Sequence, residues 1–285
     1  MPKIIDNAGE LLARYDVVFC DVWGVVHNGR TAYIEGCSAL ERFRHAGGTV
    51  ILVSNAPRTP SVVADVLDEK NVPTDCWDAI VSSGGLALKY AAEQNITRVY
   101  HIGPDRDLDI FNGANLERVE PDDAEAILCT GLLDDRNETG EHYRERLASS
   151  VDRGLPLICA NPDLIVDVGE LQLPCAGAIA AVYEDMGGAV HWAGKPHAAA
   201  YVAAMDRAKQ LRVGAMSKDR ILAIGDAVRT DITGAAAFGI DALFIGQGIH
   251  RTQVMRAGEL DEGALRELFS GDTPRATAAM ATLRW

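Results

Sequence analysis

Apolar runs with little polar alternation recur along the chain, and helical patterns follow them. They are DVVFCDV (16–22), TVILVSN (49–55), AIVSS (79–83), RVYHIG (98–103), EAILCTGL (125–132), LPLICAN (155–161), AVHWAG (189–194), RILAIGD (220–226) and DALFIG (241–246). A strand with one wet face alternates apolar and polar residues, so these runs predict strands covered on both faces, as in parallel sheets. Strands alternating with helices then predict a doubly wound α/β fold. Between them, CSALERFRHAGG (37–48) sets Leu40, Phe43 and Arg44 at helical spacing and ends on glycines suited to a cap. HAAAYVAAMDRAKQLRVG (197–214) and DITGAAAFG (231–239) read the same way. The most polar stretch, LDDRNETGEHYRERL (133–147), reads as a solvated loop leading into a surface helix.

With 285 residues and 48% hydrophobic content, the chain buries a substantial core in one large domain or two unequal ones. A net charge of −14 argues against a nucleic-acid partner, because phosphate backbones are bound by clustered Lys and Arg. The six cysteines form no C-x-x-C pair and no His/Cys cluster, which argues against a zinc or redox motif and predicts buried free thiols. The N-terminal MPKIIDNAGELLARYD lacks the apolar run of a signal peptide, and no stretch is long enough to span a membrane. A cytoplasmic protein is expected.

Open α/β sheets bind ligands beyond the carboxyl ends of their strands. Here those places carry Asp21 and Gly24, then Ser54 and Asn55, then Asp163, Lys195 and Asp226. Any one such residue is commonly a cap or turn former, and Asp231 alone would read as the cap of the helix it opens. As a set they match phosphoryl transfer. A carboxylate can act as nucleophile, carboxylates and a substrate phosphate can hold Mg²⁺, and a lysine with short polar donors can neutralise the transferring group.

In DVWGVVHNG, LVSNAPR, GKP (194–196) and GDAVRTDITGA (225–235), taken in that order, the chain resembles the haloacid dehalogenase superfamily. The likeness is to class IIA, the para-nitrophenylphosphatase-like and nucleotide or sugar phosphatase branch, whose SSGG and ANPD (160–163) pieces are also present. The resemblance implies a Rossmann-like doubly wound parallel-sheet core, residues 1–83 and 187–285, with an α/β cap domain of the C2a type inserted at 84–186. It implies Asp21 as nucleophile, Lys195 as charge stabiliser, and Ser54 and Asn55 as phosphoryl hydrogen-bond donors. It places Trp23 against the substrate, and it implies Mg²⁺ held by Asp21, Asp226, Asp231 and the Trp23 backbone carbonyl. The implied substrate is a small phosphorylated metabolite, and a homodimer through the cap is left open. Arg58 and Arg229 read equally as substrate contacts or surface ion pairs, and His27 as a residue lining the pocket.

Position 23 departs from the phosphatase pattern, which has a carboxylate there that protonates the leaving oxygen and then activates water. Trp23 does neither, and a positioned acid or base contributes about 10²- to 10⁴-fold. The expected function is a Mg²⁺-dependent phosphoric monoester hydrolase working through an aspartyl phosphate, with atypical acid/base chemistry. The alternative is a non-catalytic phospholigand-binding protein on the same fold. A metal-independent dehalogenase, whose family members carry tyrosine at this position, ranks below both because GDAVRTD supplies two carboxylates at a metal-binding spacing.

Overall fold

The computed structural model describes residues 1–168 and 171–285. In chain order its strands are β1 (Lys3–Ile4), β2 (Val17–Cys20), β3 (Thr49–Ser54), β4 (Ala79–Ser82), β5 (Arg98–Ile102) and β6 (Glu117–Arg118). Then come β7 (Ala126–Cys129), β8 (Leu157–Cys159), β9 (Ile165–Val168), β10 (Leu171–Pro174) and β11 (Val190–Trp192). The last are β12 (Ile221–Gly225), β13 (Asp241–Ile245), β14 (Met255–Arg256), β15 (Glu259–Leu260) and β16 (Ala278–Met280). Each run marked by its hydrophobic pattern holds one strand. The chain folds into two compact units, one of Met1–Ser54, Ala64–Val81 and Tyr201–Trp285, the other of Asn55–Val63 and Ser82–Ala200.

The first unit carries a seven-stranded sheet in the order β1-β16-β13-β12-β2-β3-β4. β2 runs parallel to both β3 and β12, in register from Val17↔Ile221 to Cys20↔Ile224. Val17, Val18, Phe19 and Cys20 are all buried, as is Ile221–Ile224, so both faces of these strands are covered. That is the physical reason their sequences do not alternate. The Ile34–His45 helix turns Leu40 and Phe43 into the core and leaves Arg44 half-buried, its guanidinium donating to Asp78 at 2.7 Å. The DITGAAAFG stretch begins inside a π-helical turn, Val228–Ile232, and continues as the Thr233–Phe238 helix.

The second unit is built on a five-stranded sheet, β11-β8-β7-β5-β6, in which every neighbouring pair is parallel. The sequence reading had AVHWAG resuming the core sheet, but β11 pairs with β8, Val190↔Leu157 to Trp192↔Cys159. A buried run declares that it is a strand, not which edge it joins; that depends on contacts distant in the chain. Ile127, Leu147, Leu157 and Tyr183 belong to one core cluster, and the Tyr183 hydroxyl donates to the Leu155 carbonyl at 2.7 Å. The polar 133–147 segment is more than a solvated loop. Tyr143 is buried, accepts the Leu133 N–H at 2.7 Å and donates to Glu138 at 2.6 Å. β9 and β10 form a separate antiparallel ribbon. Among the described residues no helix is long and apolar enough to cross a membrane.

Two buried titratable groups of this unit oppose each other. Burial, aided by Arg118, pushes the His101 imidazole down to about 4, and its Nε2 lies 3.0 Å from Thr130 Oγ1. Burial pushes the Asp107 carboxyl up to about 6, against the pull of Arg106 and Arg58. A histidine depressed by folding contributes stability that is present above its unfolded pKa near 6.5 and lost as pH falls toward 4. A carboxyl raised by folding does the reverse, losing stability as pH rises from about 4 to about 6. Relative to wild type, His101→Gln is expected to be increasingly favoured as pH is lowered through that window, and Asp107→Asn as it is raised. Each slope is at most about 1.4 kcal/mol per pH unit. Urea unfolding midpoints taken between pH 4 and 7 measure this, and parallel curves for the variants and wild type would contradict it.

Candidate active site

β2 and β12 are neighbours in register, so the residues that follow them emerge side by side. The Asp21 N–H donates to the Ile224 carbonyl at 2.8 Å, which fixes the start of the loop after β2 against the end of β12. Asp226 follows β12 immediately and is buried, as is Asp231 in the π-helical turn. One carboxylate oxygen from each of Asp21, Asp226 and Asp231 lies within 4.8 Å of the others. Such turns are frequent at functional sites because the extra residue re-aims a side chain.

Both buried carboxylates are anchored by backbone. The Ile249 N–H donates to Asp226 Oδ2 at 2.6 Å, and the Ala227 N–H donates to Asp231 Oδ2 at 3.1 Å. Asp231 therefore binds the turn's own backbone and does not cap the Thr233–Phe238 helix. Tyr201 braces the turn from below, its hydroxyl donating to the Asp231 carbonyl at 3.1 Å. Glycine is required where two loops close on Asp226. A Cβ on Gly24, whose φ is +83°, would lie 2.3 Å from Asp226 Oδ2, and one on Gly248 only 1.7 Å from it. Gly248 and the Ile249 amide were not singled out from the sequence; the GQG after DALFI is the signal that could have pointed to them.

Three converging carboxylates in a partly dry site repel one another unless a proton or cation lies among them. The donor set is all oxygen with no imidazole or thiolate, which suits a hard divalent cation such as Mg²⁺ and not zinc. The acidic cluster is thus able to coordinate a divalent metal.

The remainder of the loop after β2 buries Val22, Val25, Val26 and His27 and leaves Asn28 and Arg30 exposed. The half-buried Trp23 ring stands edge-on to His27, 5.2 Å between centroids at 71°, and covers Gly29 so closely that a Cβ there would be 2.5 Å from the indole. His27 is buried, and its Nδ1 accepts the Gly29 N–H at 2.8 Å, which puts the ring proton on Nε2. Burial, with the charge of Lys70, holds this imidazole down to about 4, so it is neutral at pH 7. It is no ready replacement for a carboxylic acid.

Ser54 ends β3 half-buried in the first unit, and the next residue, Asn55, opens the second. Asn55 and Lys195 are both buried and directly bonded to one another. The Asn55 Nδ2 donates to Asp163 Oδ1 and to the Lys195 carbonyl, each at 3.0 Å. Its Oδ1 accepts the Lys195 N–H at 2.8 Å and the Ser83 hydroxyl at 3.3 Å. A carboxamide has two donors and two acceptor lone pairs, so the Asn55 side chain is fully engaged within the protein. These bonds to partners 28 to 140 residues away are ones that a sequence cannot disclose. Arg58 resolves as an ion-pair residue, 3.0 Å from Asp109 and 3.7 Å from Asp107, and Arg229 is exposed.

The comparisons with known proteins agree with this geometry. The haloacid dehalogenase-like hydrolase profile matches residues 18–117, and the HAD-hydrolase-like profile matches residues 192–265. A haloacid dehalogenase-like family hydrolase of Brucella suis 1330 is 42% identical, with a TM-score of 0.86 over 98% of this chain and 100% of its own. The acid sugar phosphatase of Staphylococcus haemolyticus (strain JCSC1435) is 25% identical over 84% of this chain and 88% of its length. The p-nitrophenyl phosphatase of Archaeoglobus fulgidus shares the fold, with a TM-score of 0.74 and 20% identity over 94% and 96% of the two chains. The chain belongs to the haloacid dehalogenase-like hydrolases, with the architecture of their para-nitrophenylphosphatase- and sugar-phosphatase-like class IIA members.

Proposed function

We propose that the protein is a Mg²⁺-dependent phosphoric monoester hydrolase acting on a small phosphorylated metabolite. The observation that carries this reading is the Asp21, Asp226 and Asp231 cluster at the carboxyl ends of adjacent parallel strands. Halide displacement by an aspartate needs no metal and leaves the two buried carboxylates without a purpose. Kinship with phosphatases supports the same reading.

In the proposed reaction an Asp21 oxygen attacks phosphorus, the bond from phosphorus to the ester oxygen breaks, and the alkoxide or phenoxide departs with its electron pair. Water then attacks the aspartyl phosphate, returning free Asp21 and inorganic phosphate, and its proton passes to solvent or the released oxyanion. Asp226, Asp231, Asp21 and the Trp23 carbonyl are the groups that would hold the metal, which supplies charge neutralisation for the phosphate oxygens. Ser54 and the Lys195 ammonium act on the transferring group, donating hydrogen bonds and cancelling negative charge. The inserted segment at about 84–186 serves as the cap that selects the leaving group. Six buried cysteines outside any disulfide fit a reducing cytoplasmic setting.

A screen of phosphorylated metabolites with purified protein, with Mg²⁺ and then with EDTA, tests the proposal. Turnover of one or more esters that EDTA abolishes and Mg²⁺ restores is expected. Asp226→Asn should lose the stabilisation that Mg²⁺ gives the wild type in thermal melts. Full turnover in EDTA would overturn the metal assignment, and tight phosphate-ester binding without turnover would favour the phospholigand-binding alternative.

A further inference from the structure

The SSGG and ANPD motifs have no assigned chemistry, yet both converge on the Asn55 carboxamide. Its orientation is unambiguous. Oδ1 must face the Lys195 N–H and Nδ2 the Lys195 carbonyl, because a backbone N–H only donates and a carbonyl only accepts. The side chain thus grips the Lys195 peptide groups as an antiparallel neighbour would. Its second donor goes to Asp163 of ANPD and its second acceptor position to Ser83 of SSGG, so the carboxamide cannot turn without breaking bonds at both ends.

The surroundings leave the arrangement no slack. Asn55, Ser83 and Lys195 are 5%, 0% and 3% exposed, so a broken bond would strand a polar group away from water. A Cβ on Gly194 would lie 2.1 Å from the Ser83 hydroxyl and 2.6 Å from Asn55 Oδ1, so only glycine lets the chain before Lys195 approach this close. Asp163 is itself set by its N–H, which donates to Asn161 Oδ1 at 3.1 Å. The Gly84 N–H donates to the Ala56 carbonyl at 3.1 Å, tying SSGG to the residue after Asn55.

We propose that Asn55 is a positioning residue for Lys195, its carboxamide fixing the lysine's backbone while Asp163 and Ser83 lock that carboxamide in place. This rests on the phosphatase reading only in what Lys195 is positioned for; the clasp stands on the contacts themselves. A lysine ammonium sits on a flexible four-carbon stem, so delivering it to one place needs a fixed starting point. Misplacing a catalytic group by about 1 Å can cost about 10²-fold in rate.

Two measurements test the clasp. The first is a double-mutant cycle on p-nitrophenyl phosphate with Mg²⁺, using Asn55→Ala, Lys195→Ala and the pair. Asn55→Ala should lower kcat by about 10²-fold with a smaller change in KM, and should cost almost nothing further once Lys195 is alanine. Multiplicative losses would overturn the positioning role and return Asn55 to direct contact with substrate. The second is NMR hydrogen exchange of the Lys195 amide, which needs no activity. Asn55→Ala should speed it about 3- to 10-fold while β12 amides are unchanged, and unchanged Lys195 exchange would overturn the clasp. If wild-type protein hydrolyses no phosphate ester, the phosphatase reading fails and exchange still decides the clasp. Asp163→Asn, which keeps an acceptor oxygen for Asn55, should protect the Lys195 amide better than Asp163→Ala, and the opposite order would contradict the locking role. Should Asn55→Ala not fold, Asn55→Asp is nearly isosteric, loses both donors and is read by the same two measurements.

Discussion

Asp21→Asn is expected to abolish turnover, lowering kcat on the order of 10⁴-fold or more, as removal of a covalent nucleophile does. Asparagine is nearly isosteric and keeps the backbone N–H that donates to the Ile224 carbonyl, so the loop after β2 retains its path. What changes is chemical, because an amide oxygen is a poor nucleophile for phosphorus. The substitution also removes one of three charges that converge within 4.8 Å. Two unit charges about 5 Å apart repel by about 3 kcal/mol at an effective dielectric of 20. In EDTA the variant is therefore expected to melt above wild type while being inactive in Mg²⁺, a pairing that a misfolded variant could not show. Steady-state assays, thermal melts and intact-mass detection of a phosphoryl adduct on wild type alone make the measurement. Undiminished turnover would remove Asp21 from the nucleophile role.

Trp23→Asp is expected to raise turnover of esters with poor leaving groups, by up to about 10²- to 10⁴-fold, the range a positioned general acid supplies. Wild type should accordingly prefer aryl and acyl phosphates, whose leaving groups depart as stable anions, and should accumulate phosphoenzyme as a burst because its second step lacks a base. His27 is placed poorly to compensate, being buried, neutral at pH 7 and holding the Gly29 N–H on Nδ1. The gain comes with a cost in packing. Removing a fully buried tryptophan costs about 3–5 kcal/mol, and the half-buried Trp23, which covers Gly29 and the edge of His27, should lose less. The variant should thus be less stable and more active on alkyl phosphates. Equal wild-type rates on aryl and alkyl esters, without a burst and without a gain from the substitution, would place the missing acid elsewhere.

Much of the first unit was legible in its residues. A run such as VVFC or ILAIG, buried on both faces, can only be a covered strand, and a polar residue directly after it must lie at the carboxyl edge of a parallel sheet. Asp21, Ser54 and Asp226 stand at or directly after the ends of β2, β3 and β12, as that rule places them, and the burial behind it is local in the chain.

Other features were settled only by tertiary contacts. AVHWAG announced a strand, but its choice of β8 as partner depends on backbone bonds to residues more than thirty positions earlier. Asn55 announced a short polar donor at a strand end; its four bonds to Ser83, Asp163 and Lys195 are set by segments distant in the chain. The closeness of Asp226 to Gly24 and Gly248 likewise has no trace in local pattern. Periodicity reports which side of an element meets water, and it does so within a few residues. Hydrogen-bond partners and carboxylate spacings are set by which strands lie side by side, and chain segments far apart in sequence decide that together.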